Sequence, residues 1–270
     1  LEDILKVYKS SSDDMLIVQL VECNTCKFSY LNPRINSDII FSSYETNIDN
    51  KHLEQDKWRI KTFKKSMKKI LHLIDIKEIR DLSFLDIGSA SGAFLKSIKD
   101  IGFNEEGYEP SKWMVNFGKK NYNVNINQGS IDTVKKQKKF DFISFWDVLE
   151  HVTDLDQTLL KVKELSKKNT ILIINVPDID SISCKLMKKN WPFYLNVHLY
   201  YFNKKSLQNI LNKYDFSYIN SFPHFQYLEL GYILFRAKKI FPPVYLIEKI
   251  IKLIGIKRFP VPYNLGQTTF

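Results

Sequence analysis

The sequence predicts an α/β fold, a largely parallel sheet with helices on both faces. Three observations carry this. Between Ser83 and Pro177, short apolar runs alternate with amphipathic stretches of helical period. That is the pattern of parallel strands joined by right-handed crossovers. A loop containing two glycines, Asp86-Ile87-Gly88-Ser89-Ala90-Ser91-Gly92, separates the first of these runs from the helical stretch after it. The run FDFISFWDV from Phe140 is almost wholly apolar, as a central strand buried on both faces must be.

Residues 1–40 form a small segment: the apolar Met15-Leu16-Ile17-Val18, then VECNTCKFSYLNPR, read as strand, turn and strand around Cys23 and Cys26. Residues 41–80 are Lys-rich, with Trp58, Ile60, Phe63, Met67, Ile70, Leu71 and Ile74 at helical spacing, a helical cap lying on something larger. The main domain spans 81–225. SFLDIG is its first strand, and ASGAFLKSIKD a helix stopped by Gly102. FNEEGYEP follows as a strand, SKWMVNFGKKN as a helix capped by Ser111, and YNVNINQGS as a third strand. After the central strand come the helix DLDQTLLKVKELSKKN and the strand TILIINVP. Residues 178–202 are an aromatic-rich connection, followed by the helix NKKSLQNILNKYD and the strand FSYINSF. Residues 226–270 hold a basic amphipathic stretch broken at Pro242-Pro243, then one more strand. This stretch reads first as a lid on the sheet and otherwise as a peripheral membrane contact.

At 270 residues the chain suits one large domain with small additions. It is 44% hydrophobic and 26% charged, too apolar for a disordered chain. The net charge of +10 raises nucleic acid as a partner, but only five of the 40 cations are Arg, the residue favoured in specific phosphate recognition, which argues against it. Three cysteines exclude a disulfide scaffold and fit a reducing compartment. No apolar run approaches a membrane span, and LEDILKVYKSSSDD has no apolar core of a signal peptide, so a cytoplasmic protein is expected. The start at Leu1 is what a fragment would show.

Glycines in the loop at Asp86–Gly92 let the backbone turn sharply and approach a ligand, and the helix that follows offers free N–H groups. Glu109 closes the next strand about 20 residues on, where an acid can take both hydroxyls of a ribose. The spacing Gly88-x-Ala90-x-Gly92 is not that of a dinucleotide loop. Asp86 would repel a pyrophosphate but suits an ammonium. A ligand with an amino acid head and an adenosine tail satisfies both ends, namely S-adenosylmethionine.

Over residues 80–222 the chain resembles the class I S-adenosylmethionine-dependent methyltransferases, in the group that includes small-molecule and sugar methyltransferases. LDIGSASG, GYEPS, FDFISFWDVLEHV and HLYYFNKKSLQNIL carry the resemblance. It implies a Rossmann-like seven-stranded sheet of order 3-2-1-4-5-7-6 with strand seven antiparallel. It also implies that Asp86, Gly88, Ser89, Ala90 and Gly92 line the methionine and ribose side of the cofactor. Glu109 and Pro110 would lie by the ribose, Ser130 and Ile131 by the adenine, and Trp146 and Asp147 at the end of strand four.

His151, just past strand four, has the ordinary pKa of a general base for a hydroxyl or amine acceptor, so the rate should rise through about pH 6–7. Glu150 beside it would hold the tautomer or the substrate. As metal ligands, Asp147, Glu150 and His151 resemble the acid–acid–His set of ubiquinone-pathway O-methyltransferases, but no metal is expected. Tyr44, His198 and Tyr201 are candidate substrate residues. Together with Trp191 and Tyr200, the last two form either a stacking wall for a sugar or a small aromatic core under the loop. CNTCKFSYLNPR resembles the second half of a zinc knuckle found before the methyltransferase domain of some sugar-modifying relatives, but without a second C-x-x-C no zinc is expected. The function expected is methyl transfer to a small molecule, a sugar, nucleotide sugar or polysaccharide precursor. RNA or protein methylation, or a non-catalytic cofactor-binding module, are the alternatives.

Overall fold

The computed structural model describes residues 18–34, 53–240 and 243–270. Twelve strands and eight helices follow in order among them. The main sheet has seven strands: β3 (Ser83–Ile87), β4 (Asn104–Glu109), β5 (Ile126–Gln128), β6 (Phe140–Trp146), β7 (Ser166–Pro177), β9 (Phe222–Pro223) and β12 (Gln267–Thr269). Their order is β5-β4-β3-β6-β7-β12-β9. The first five run parallel, and β12 lies antiparallel between β7 and β9. Renumbered within the sheet, this is the expected 3-2-1-4-5-7-6.

The two-residue period of a strand sends neighbours to opposite faces. On one face Phe84, Phe142 and Ile173 meet Phe63 and Met67 of α1 (Asp56–Leu73) and Phe94 of α2 (Ala93–Lys99). Phe84 and Phe142 are direct partners across the β3–β6 pair, and their rings stack at 5.3 Å. On the other face Leu85, Ile143, Phe145 and Ile174 meet Leu159 and Val162 of α4 (Leu155–Leu165) and Leu207 of α6 (Lys204–Asn212). Helix α3 (Lys112–Tyr122) starts where the Ser111 hydroxyl accepts the Met114 amide, and α4 where Asp154 accepts that of Gln157. Asn203 and Ser206 close a reciprocal capping box on α6.

Two expectations shift. The helix before β7 ends at Leu165, and Ser166–Asn169 join the strand through an irregular register opposite Phe140. Of FSYINSF only Phe222, with Pro223 after it, joins the sheet, because its partner β12 is a strand of only three residues. Among the described residues the first short strand begins at Leu20; Met15–Ile17 of the apolar run lie outside them.

That strand, β1 (Leu20–Glu22), pairs with β2 (Ser29–Leu31), and the turn between them carries Cys23 and Cys26. Among the described residues no group of metal-ligating side chains includes either cysteine. β2 also pairs with β8 (Tyr200–Tyr201) in the aromatic connection, which carries α5 (Ile182–Met187). Phe28 stacks on Tyr200 at 5.7 Å, and Arg34 donates to the Tyr200 hydroxyl at 2.9 Å. The last segment makes a hairpin of β10 (Gln226–Glu229) and β11 (Pro260–Tyr263), with α7 (Leu230–Ile240) and α8 (Val244–Ile254) between its strands. No helix among the described residues is long and apolar enough to cross a membrane.

Candidate active site

The carboxyl ends of β3, β4 and β6 open into a cavity of about 770 Å³, the place where parallel sheets hold ligands. The loop after β3 turns through left-handed backbone at Gly88 (φ 71°), Ala90 (φ 45°) and Gly92 (φ 81°). At Gly88 a Cβ would stand 2.4 Å from Cγ2 of Val148, so only glycine fits there. Gly92 does not line the cavity; its amide donates to the Ser89 carbonyl at 2.8 Å and turns the chain into α2. The Glu109 carboxylate is held by the Ala90 amide on Oε2 and the Ser111 amide on Oε1, each at 2.9 Å. Loop and acid are therefore one rigid unit. Burial raises the Glu109 pKa in spite of those two bonds.

Two further acids stand on the strand ends. Asp86 is buried opposite its β-partner Ser144, whose hydroxyl donates to it at 2.6 Å. Burial pushes its pKa up to about 7. Asp147 adopts φ 57°, and its carboxylate accepts from Asn175 Nδ2 and Gln267 Nε2, both at 2.7 Å. Burial raises this pKa to about 6.

Beyond Asp147, Glu150 is buried and neither carboxylate oxygen has a hydrogen-bond partner. Burial, and then the charge of Asp147, holds it well above the usual carboxylate range. His151 Nδ1 lies 2.9 Å from the Val197 carbonyl, and His198 Nδ1 lies 2.8 Å from that of Phe193. A carbonyl only accepts, so both rings carry their proton on Nδ1, and Nε2 is the acceptor nitrogen of each. The two rings meet edge to face at 4.7 Å. Burial lowers the His151 pKa to about 4, below the value expected from the sequence, and burial, then the charge of His151, holds His198 well below its ordinary value. Ligand atoms of Glu150, His151 and His198 fall within 4.8 Å of one another. Asp147, the third member of the set considered from the sequence, is instead engaged with Asn175 and Gln267.

Of the candidate site residues that are described, all line the cavity except Gly92, Trp191, Tyr200 and Tyr201. Tyr44 lies outside the described residues. Tyr201 sits behind the wall in a small core with Leu31, Cys184 and Trp191, its hydroxyl donating to the Leu195 carbonyl at 3.1 Å. Sequence reasoning missed Arg59 of α1, Asp132, Arg236 of α7 and Gln267 of β12, all on the cavity wall. The rarity of Arg in this Lys-rich chain was the one usable signal for Arg59 and Arg236. Arg59 is held by Asp56 at 3.0 Å.

The buried Trp146 Nε1 and both Glu150 oxygens, none with a partner among the described residues, give a polar lining that a ligand can satisfy. With the amide-held Glu109 and the glycine turn, this donor and acceptor set fits an adenosine bearing an amino acid. Fold and site together define a class I S-adenosylmethionine-dependent methyltransferase. The family model described as a methyltransferase domain matches residues 57–221, and the chain belongs to that family. It is 30% identical over 103 residues to the ubiquinone biosynthesis O-methyltransferase of Pelagibacter ubique (strain HTCC1062), an overlap of 36% of this chain and 43% of that protein. The protein of the same description from Rickettsia prowazekii (strain Madrid E) matches at 28% over 103 residues, 36% of this chain and 41% of that one. The chain thus spans under half the length of these relatives. In fold it is similar to an S-adenosylmethionine-dependent methyltransferase from Archaeoglobus fulgidus, with TM-score 0.51, 16% identity, and coverage of 82% of this chain and 98% of that one. A magnesium protoporphyrin IX methyltransferase from Synechocystis PCC 6803 gives TM-score 0.51 at 14% identity, over 70% of this chain and 93% of that one.

Proposed function

We propose that the chain methylates a small-molecule acceptor, a sugar or polysaccharide precursor such as a nucleotide sugar, with His151 as general base. The observation that carries this is the juxtaposition of the glycine loop with the Glu150–His151–His198 cluster in one cavity. A recessed cavity of this size suits a small acceptor better than an RNA or a protein surface. S-adenosylmethionine, when bound, supplies a methyl group on a positively charged sulfur, open to in-line displacement.

The chain's own residues do the rest. Glu109, with one amide already on each oxygen, keeps lone pairs for the ribose hydroxyls. Asp86 lies where the ammonium of an amino acid would be met, beside the backbone of Gly88, Ser89 and Ala90. Pro110, Ser130 and Ile131 flank the adenosine end, where the side chain of Asp132 adds an acceptor for an exocyclic amine. Trp146 and Asp147 close the wall between cofactor and acceptor. Burial favours the protonated form of Glu150 and lowers the His151 pKa to about 4, so His151 is neutral at pH 7; a protonated Glu150 donates to an acceptor oxygen while His151 Nε2 takes the hydroxyl proton. Two neutral groups tolerate a dry site better than an ion pair would.

A screen of nucleotide sugars with isotopically labelled cofactor, read by mass spectrometry, tests the acceptor class; labelling of RNA or protein substrates alone would overturn it. His151→Ala should lower kcat about 10²–10⁴-fold, the usual worth of general acid–base catalysis, and leave cofactor affinity nearly unchanged. A second reading rests on the 4.8 Å grouping of Glu150, His151 and His198, which could hold a divalent cation that activates the acceptor instead. Activity that survives exhaustive chelation, yet falls in His151→Ala, supports the base.

A further inference from the structure

Helix α8 and the turn after it present an apolar face that the described residues leave uncovered. Leu246, Ile247, Ile250, Leu253 and Ile254 are 62%, 51%, 54%, 87% and 63% exposed. At 100° per residue they share one broad arc of the helix, while Val244, Glu248 and Ile251, on the opposite side, are the less exposed positions turned toward the protein. No residue of α8 is buried. Lys249 borders the apolar arc, Lys252 lies about 60° farther round the helix, and Phe259, 61% exposed, continues the arc past Lys257 and Arg258.

The charge on this unit is one-sided. From Leu230 to Phe270 the sequence carries Arg236, Lys238, Lys239, Lys249, Lys252, Lys257 and Arg258 against a single acid, Glu248. That acid is already paired with Lys238 at 2.9 Å. A wide, aliphatic, solvent-facing arc edged by lysines is costly in water and matches a surface apolar beneath and anionic at its boundary.

We propose that this face of α8 docks on an anionic lipid surface, with the helix lying in the plane of the interface. Helix α7, packed against α8, supplies Tyr232, Ile233 and Arg236 to the cavity wall, so docking brings the cavity's α7 side to the membrane boundary. Where the methyl-transfer reading above holds, docking also gives the site access to a sugar precursor carried on a lipid anchor. Docking itself requires no turnover and is measured without acceptor.

The test is co-sedimentation of the full chain with vesicles of roughly two parts phosphatidylcholine to one of phosphatidylglycerol, against pure phosphatidylcholine, at low and high salt. The expected result is binding to the anionic vesicles that weakens with salt, and little to the neutral ones. The double variant Ile250→Glu/Leu253→Glu should abolish binding while S-adenosylhomocysteine affinity and the thermal transition stay unchanged, since both residues are exposed. Lys249→Glu should weaken binding roughly tenfold, because each basic side chain near such a surface adds attraction. Absence of binding to anionic vesicles at low salt overturns the proposal, as does binding that survives the double variant. A dimer seen by sedimentation velocity and lost in the same variant would also overturn it, by giving the face to a second copy. If vesicles bind but no acceptor is methylated, the failure lies with the catalytic reading and not with docking.

Discussion

Asp86 shows how one buried carboxyl can tie ligand binding to pH. Burial raises its pKa to about 7, against the donation from Ser144. It is therefore largely neutral below that value and ionised above it, and only the ionised form attracts an ammonium strongly. Cofactor affinity measured by calorimetry should climb as pH rises from about 6 to about 8. Asp86→Asn should bind more weakly at the upper end and show no such climb; a parallel climb in that variant would assign the titration elsewhere. His151 has the opposite sign. With its pKa lowered to about 4, it is already the free base at neutral pH, so the rate should be flat near pH 7 and fall only toward acid. Ala90 carries a different cost. At φ 45° it holds a Cβ in left-handed backbone, roughly 1–2 kcal/mol above the right-handed region. Ala90→Gly removes that strain and loses some unfolded-state stiffness, worth about 0.4–1 kcal/mol. Chemical denaturation should find the variant unchanged or more stable by up to about 1 kcal/mol, where a glycine elsewhere would destabilise.

Helix α1 and the β10–β11 hairpin are joined by two side chains reaching from one element to the backbone of the other. Thr62 Oγ1 accepts the Tyr227 amide at 2.9 Å, and Gln55 Oε1 accepts that of Glu229 at 3.0 Å. This joint places Arg59 on one wall of the cavity and the hairpin on the other. Thr62→Val keeps the volume of a buried side chain but strands the Tyr227 amide, which should cost about 1–3 kcal/mol. Hydrogen exchange should rise across Gln226–Glu229 while the β3–β6 core stays protected; uniform exchange in both would refute a local joint. Such contacts mark the limit of reading the sequence. The parallel strands were legible because each is a local apolar run, and the glycine loop and Glu109 because their spacing is local too. Ser111, Asp154 and Asn203 announced their helices in the same way. Nothing local announces that β12 inserts beside β7, or that Gln267 reaches Asp147. FSYINSF carries a strand-like pattern, yet Tyr218 and Ile219 end up 38% and 57% exposed, since β12 is three residues long and pairs no farther back than Phe222. Tyr201 is aromatic in a site-like loop, but its surroundings depend on the β1–β2 hairpin packing behind it.

The cavity is lined by parts of the chain that contact one another only modestly through the sheet: α1, the turns after β3, β4 and β6, the loop before β8, the β10–β11 hairpin and β12. A ligand there bridges all of them, so its binding energy should appear as stability of the fold. At a concentration about 100 times its Kd, a ligand specific to the native state adds about 2.7 kcal/mol. In a chain of this size about 1 kcal/mol moves the midpoint by roughly 2–4 °C. S-adenosylhomocysteine should therefore raise Tm by roughly 5–10 °C under those conditions. NAD should leave it in place, because Asp86 sits at the glycine turn where a pyrophosphate would have to lie. Glu109→Ala should erase much of the shift, since bonds from ribose hydroxyls to a charged acceptor are worth about 1.5–3 kcal/mol. The same variant also frees the amides of Ala90 and Ser111, so its own Tm should drop, and the diagnostic quantity is the difference between liganded and unliganded midpoints. A full shift retained in Glu109→Ala would move the adenosine away from β4. The glycine loop would then be a structural turn, and the cofactor would have to lie along the wall formed by Trp146 and Asp147.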